Sequence, residues 1–153
     1  MEGAAGRVRR ADGADADAIG VLLHRFNSDY DEPSPGPGPI AERIRELIAS
    51  GDTAVLLAGD GPDGILIVRF QPSIWSRLDE AYIAELYVVG EARRRGLGSA
   101  LMEAALALCR ERGCDYVFLG TDEGDADAHR LYERFGFTNR SGEELMYVYE
   151  REV

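Results

Sequence analysis

The chain has 153 residues, 45% of them hydrophobic, which suits one domain around one core and leaves too little for two ordinary ones. Its 17 basic residues stand against 28 acidic ones, for a formal charge of −11. That sign repels nucleic-acid backbones and anionic lipid unless basic residues gather in one place, so neither nucleic acid nor a membrane is an expected partner. A cationic ligand such as an amine suits the charge, although an acidic surface also serves solubility.

Cys109 and Cys114 are the only cysteines. They lack Cys-x-x-Cys spacing and a neighbouring His cluster, and read as reduced core thiols, with no metal expected. Residues 1–12 lack an apolar signal-peptide core, and no apolar run approaches ~18 residues, so a cytoplasmic location is expected.

In chain order, 6–11 supplies a short strand. Ile19, Leu22, Leu23 and Phe26 then recur at helical spacing behind Asp12, Asp15 and Asp17. Residues 29–39 hold four prolines and two glycines and read as a stiff loop that neither helix nor central strand crosses. Ile40, Ile44, Leu47 and Ile48 predict a second helix that stops near Gly51. The runs 53–58 and 65–70, joined by turn residues, predict an antiparallel hairpin. After a loop carrying Trp75, 81–89 predicts a long strand covered on both faces.

Leu97, Leu101, Ala105 and Leu108 mark a third helix ended by Gly113. The strand 116–119 completes a βαβ crossover. Residues 125–135 predict a fourth helix ended by Gly136. A closing strand is expected over 145–149, where Met146-Tyr147-Val148-Tyr149 is strongly strand-forming. No repeat or linker divides the chain, so a single domain over 1–153 is expected.

The segment Arg93-Arg94-Arg95-Gly96-Leu97-Gly98 joins the long strand to the third helix. Helix N-termini leave N–H groups unpaired and carry partial positive charge, which favours an anion. Gly96 and Gly98 remove side chains that would hold a pyrophosphate off, and the arginines add charge in an acidic chain. A dinucleotide fingerprint fails because Leu101 stands at its third glycine, and a P-loop fails for want of Gly-Lys-Ser/Thr. Taken alone, the glycines equally suit a plain strand-to-helix turn.

With Ala128, Leu131, Tyr132, Gly136 and Phe137 downstream, residues 81–137 resemble the GCN5-related N-acetyltransferase (GNAT) family. Its coenzyme A loop, Arg/Gln-x-x-Gly-x-Gly/Ala, is met by Arg93, Gly96 and Gly98. The resemblance implies an α/β (α+β) fold: a mixed, mostly antiparallel six- to seven-stranded sheet with about four helices, whose splayed central strands bind acetyl-coenzyme A (acetyl-CoA). The implied donor contacts are Leu86, Tyr87 and Val88 on the splayed strand, Arg93, Arg94, Arg95, Gly96, Leu97, Gly98 and Ser99 at the loop, and Asp125 and Ala128 at the fourth helix. The family often has Asn where Asp125 stands, and an acid there also suits a helix cap.

The implied activity is acetyl transfer from acetyl-CoA to a primary amine by direct attack on the thioester. Glu85 is the candidate base, because strict alternation sets it on one face with Ile83 and Tyr87, among apolar groups that raise its pKa. Tyr132 is the candidate donor to the departing thiolate. Asp29, Tyr30, Asp31 and Glu32 on the proline-stiffened loop, with Trp75, Asp122 and Glu123, are candidate contacts to a polycationic small acceptor such as an aminoglycoside or polyamine. Protein lysine or N-terminal acetylation, a non-catalytic coenzyme A-binding module and a homodimer stay open. His24 reads as a structural histidine and His129 as a surface one.

Overall fold

The computed structural model describes residues 7–153. Strand β1 (Val8–Arg10) leads through a 3-10 turn at Gly13–Asp15 into helices α1 (Ala16–Asp29) and α2 (Pro37–Ser50). Strands β2 (Thr53–Ala58), β3 (Gly64–Pro72) and β4 (Asp79–Val88) follow. After a second 3-10 turn at Gly90–Ala92 come α3 (Leu97–Arg112), β5 (Cys114–Phe118), α4 (Ala126–Arg134), β6 (Arg140–Ser141) and β7 (Glu144–Leu145). The expected first strand begins at Gly6, which lies outside the described residues.

The strands divide into a five-stranded sheet, β1-β2-β3-β4-β5, and a separate β6-β7 ribbon, where one continuous sheet was expected. Pairing is antiparallel from β1 to β4 and parallel between β4 and β5, which α3 connects as the βαβ crossover.

The sheet carries helices on both faces. Tyr87 of β4 stacks on Phe26 of α1, with ring centroids 4.6 Å apart. On the opposite face, Arg112 at the end of α3 lies 4.2 Å over the Phe70 ring. Its Nη1 donates to the Gly51 carbonyl at 2.7 Å, and it also pairs with Asp52 and Asp79. The end of α3 is thereby tied to β2 and β4. Between the helix layers, β2 and the first half of β3 are buried throughout, and α3 buries Leu97, Leu101, Met102 and Ala105. Gly20 lets α1 approach α2 closely, since a Cβ there would stand 3.2 Å from the Ala41 Cβ.

Three expectations change. The helix α2 starts at Pro37, inside the stretch expected to be loop, because a proline in the first helical turn forfeits only an N–H that has no partner anyway. β4 is not covered on both faces: Ala81, Ile83 and Tyr87 are buried, while Tyr82 and Glu85 are exposed. Pairing in the expected closing strand stops at Leu145, and Met146-Tyr147-Val148-Tyr149 joins no sheet. No helix among the described residues is long and apolar enough to cross a membrane.

Candidate active site

The parallel ladder between β4 and β5 runs only from Asp79 to Tyr82. From Ile83 to Val88, β4 keeps its partner β3 on one side and has no strand on the other. The two strands therefore part at mid-sheet, and Leu86, Tyr87 and Val88 line an open backbone edge. Unpaired main-chain groups at such an edge remain available to a ligand's amides.

At the end of β4 the chain turns into α3. Gly96 caps this helix with φ 79°, and no side chain fills the cap. The Ala100 N–H bonds the Gly96 carbonyl at 3.0 Å. The N–H groups of Leu97, Gly98 and Ser99 precede that first helical bond and face outward from the end of a 16-residue helix, the favoured place for an anion. A Cβ on Gly98 would meet only Leu131, at 3.6 Å. The chain itself would tolerate a side chain there, and its absence leaves the end of α3 open.

The three arginines differ. Arg93 turns back, its Nε donating to the Val88 carbonyl at 3.0 Å, so that carbonyl is already engaged. Arg94 adopts φ 65°, a left-handed conformation that costs a non-glycine residue ~1–2 kcal/mol. Arg94 and Arg95 are exposed and form no ion pair among the described residues. Leu97 is buried. The hydroxyl of Ser99 accepts from Arg134 of α4 at 2.9 Å.

Glu85 reaches its position through a break in strand alternation. Its partner on β3 is Ile67, while Ile83 pairs with the next residue, Val68. Ala84 is thus an extra residue, a β-bulge. Glu85 and Ile83 consequently lie on opposite faces, which corrects the expectation that they share one. Glu85 does share a face with Tyr87, on the α1 side. It has no hydrogen-bond or ionic partner among the described residues, and although one side is exposed, burial of the remainder raises its carboxyl pKa.

Tyr132 of α4 is half-buried against the core and meets Phe137 edge-on at 6.2 Å. Its hydroxyl makes no hydrogen bond among the described residues. Burial, and secondarily the charge of Asp125, raises its pKa. Asp125 caps α4, accepting from the Ala128 N–H at 3.2 Å.

The residues expected to meet an acceptor are not all together. Asp29 is the last residue of α1, and its carboxylate accepts a very short hydrogen bond from the Tyr87 hydroxyl. Tyr30, Asp31 and Glu32 are exposed on the α1–α2 connection. His24 is satisfied by the Ser34 hydroxyl at 2.7 Å, which holds that connection. Asp122 and Glu123 lie on the β5–α4 connection, where the Asp122 carbonyl accepts from His129 Nε2 at 2.9 Å. Trp75 sits in the β3–β4 connection, 93% exposed, at the end of β4 remote from the Arg93–Gly98 loop. Strand direction alone separates it from the site.

Local sequence also left one part of the site unmarked. Arg25 of α1 forms a two-pronged pair with Glu91 at 3.0 and 2.6 Å, fastening α1 to the turn before the arginine loop. The partners stand 66 positions apart, and no spacing pattern announces such a pair.

The arrangement has the shape of known relatives. Residues 22–137 match the acetyltransferase (GNAT) family profile. A mycothiol acetyltransferase of Beutenbergia cavernae is 34% identical over 86% of this chain and 45% of its own length. This chain thus spans less than half of that relative. The crystal structure of an Arthrobacter sp. FB24 protein, provisionally assigned as an acetyltransferase, superposes with a TM-score of 0.89 at 42% identity, covering 95% of both chains. A soil-metagenome aminoglycoside acetyltransferase in complex with sisomicin shares the fold, with a TM-score of 0.75 at 20% identity over 95% of this chain and 96% of its own. The profile covers well over half of the 153 residues, and the chain belongs to the GNAT acetyltransferase family.

Proposed function

We propose that this chain transfers an acetyl group from acetyl-CoA to a primary amine of a small cationic molecule. The observation that carries the reading is the opening between β4 and β5, with Glu85 on the unpaired stretch of β4 and the uncapped N-terminus of α3 following that strand. Pyrophosphate would accept from the N–H groups of Gly98 and Ser99 with Arg94 and Arg95 nearby, and the pantetheine arm would pair along Leu86 and Tyr87.

An alkylammonium with a reference pKa of ~10.4 is mostly protonated at neutral pH and cannot attack. Glu85, with its pKa raised, takes that proton. The amine nitrogen then bonds the thioester carbonyl carbon, the C–S bond breaks, and the nitrogen's second proton passes to the departing thiolate, which the Tyr132 hydroxyl meets with a hydrogen bond. At the reference values of ~10 for a phenol and ~8.5 for a thiol the phenol-to-thiolate transfer is uphill by ~2 kcal/mol, and the burial that raises the Tyr132 pKa steepens it, so a hydrogen bond suffices. The products are an amide and free coenzyme A. Acetyl-CoA is consumed as donor, and the Glu85–Tyr132 scheme assigns no step to a metal.

Glu85 projects to the α1 side, so the acceptor enters there, past the Tyr30 phenol and the carboxylates of Asp31 and Glu32, which suit a cation. The similarity to a mycothiol acetyltransferase supports a small acceptor. Thiol release from acetyl-CoA across a panel of polyamines, aminoglycosides, amino sugars and lysine peptides tests the reading. Faster turnover of small amines, dependent on Glu85, is expected. Coenzyme A binding without turnover of any amine would leave a binding module instead.

A further inference from the structure

Cross-strand register extends the sheet face that carries Glu85. Direct partners in a ladder share a face, and alternate residues of a strand return to it. Tyr87 pairs with Ile65 and Glu85 with Ile67, so Arg69 and Gln71 further along β3 lie on the same α1 side. Arg69 pairs with Tyr82 and Gln71 with Glu80. Across the parallel ladder, Tyr82 pairs with Phe118 and Glu80 with Tyr116. Where β2 and the first half of β3 are buried, this stretch is open: Arg69 and Gln71 are exposed, Tyr82 is 40% exposed and Tyr116 56%.

Three aromatic rings gather there. Tyr82 and Phe118 lie with centroids 5.0 Å apart and planes 12° from parallel, and Tyr116 adjoins Phe118 at 5.9 Å. A cavity of about 370 Å³ opens beside the Tyr82–Phe118 pair, large enough for a small molecule, with Arg69 and Gln71 also lining it. Arg69 forms no ion pair among the described residues. The Gln71 amide donates to Glu80 Oε1 at 2.6 Å, which leaves its own carbonyl to accept. An aromatic wall is thus flanked by a donor on one hand and acceptors on the other. Glu85 follows Tyr82 on this face across the Ala84 bulge, so a molecule held against the rings lies beside the proposed base.

We propose, on the footing of the acetyl-transfer reading, that Tyr82 and Phe118 receive the body of the acceptor and select an amine carried on a saturated, hydroxylated ring, an amino sugar or aminocyclitol. The negative face of an aromatic ring attracts the weakly positive C–H bonds on the apolar side of such a ring. Its hydroxyls both donate and accept, which matches Arg69 together with Gln71 and Glu80. A straight-chain polyamine answers this surface poorly. Its ammonium groups only donate, and they meet the unpaired charge of Arg69.

Steady-state kinetics with glucosamine and streptamine against putrescine and spermidine test the selection. The wild type is expected to favour the ring-bearing amines in kcat/KM. Tyr82→Ala is expected to raise their KM about three- to tenfold, the worth of one aromatic contact, with kcat and the acetyl-CoA KM near wild type. Tyr82→Phe, which keeps the ring, is expected to restore KM. Titration of glucosamine into the wild type with coenzyme A present, followed by NMR, is expected to shift the Tyr82 and Phe118 ring signals. That readout needs neither turnover nor a folded variant. Shifted ring signals without acetylation of any amine would sink the transferase reading and keep the binding surface. A preference for straight-chain amines, an unchanged KM in Tyr82→Ala, an equal rise for both kinds of amine, or ring signals unmoved by glucosamine would each overturn the proposal.

Discussion

The Tyr87 hydroxyl donates to the Asp29 carboxylate, joining the end of β4 to the end of α1 across 58 positions of sequence. Burial first, and this bond second, push the Tyr87 phenol up from 10.0 to about 12. A raised pKa means the folded state favours the protonated phenol. Its contribution is complete below pH 10, the unfolded value, and is lost as pH rises through about 12. Tyr87→Phe is therefore expected to cost on the order of 1 kcal/mol at neutral pH and to lose less stability than wild type between pH 10 and 12. Denaturant titrations across that range measure it. Equal losses in both proteins would show that the phenol is not so tied.

Glu85→Gln removes the proposed base but keeps the side-chain shape. A fall of roughly 10²–10⁴-fold in kcat/KM is expected, the range for one positioned acid–base group. In the wild type the acidic limb of the pH profile is expected above the ordinary glutamate value, since burial raises this carboxyl. Activity rises with pH there because the ionised carboxylate is the active form. In the variant that limb should vanish, leaving the limb set by the amine. An unchanged limb would assign the proton to another group.

Tyr132→Phe is expected to lower kcat by roughly tenfold to a thousandfold at saturating acetyl-CoA, with little change in donor KM. Wild-type turnover in the variant would remove Tyr132 from the reaction.

Arg94 holds a left-handed conformation in the anion loop. Replacement by glycine relieves ~1–2 kcal/mol of strain against ~0.4–1 kcal/mol of added chain entropy in the unfolded state. Arg94→Gly is thus expected to melt no lower than wild type while binding coenzyme A roughly two- to fivefold more weakly, the loss of one exposed charge. Calorimetric melting and titration measure both. Unchanged affinity would mean that the strained arginine does not face the anion.

Much of the framework was legible in sequence because its signals are local. Gly96 and Gly113 mark the ends of α3, β2 follows the apolar run 53–58, and Asp125 caps α4 where a capping acid was one reading of it. The misreadings share a cause in pairing across the chain. Alternation counted along β4 sets Glu85 beside Ile83, and only the register against β3 reveals the Ala84 bulge that separates them. Asp29, Asp31 and Glu32 look alike in sequence, yet Tyr87 engages Asp29 and leaves Asp31 and Glu32 exposed. Strand preference in Met146-Tyr147-Val148-Tyr149 was plain, whereas the partner edge that a strand needs is not written in the segment itself.

The most direct measurement is the structure of this chain with coenzyme A bound. Pyrophosphate oxygens are expected within about 3.2 Å of the Gly98 and Ser99 N–H groups, with the pantetheine arm between β4 and β5 and the thiol beside Glu85 and Tyr132. A pyrophosphate seated away from Arg94, Gly96 and Gly98, or an arm outside the β4–β5 opening, would contradict the assignment.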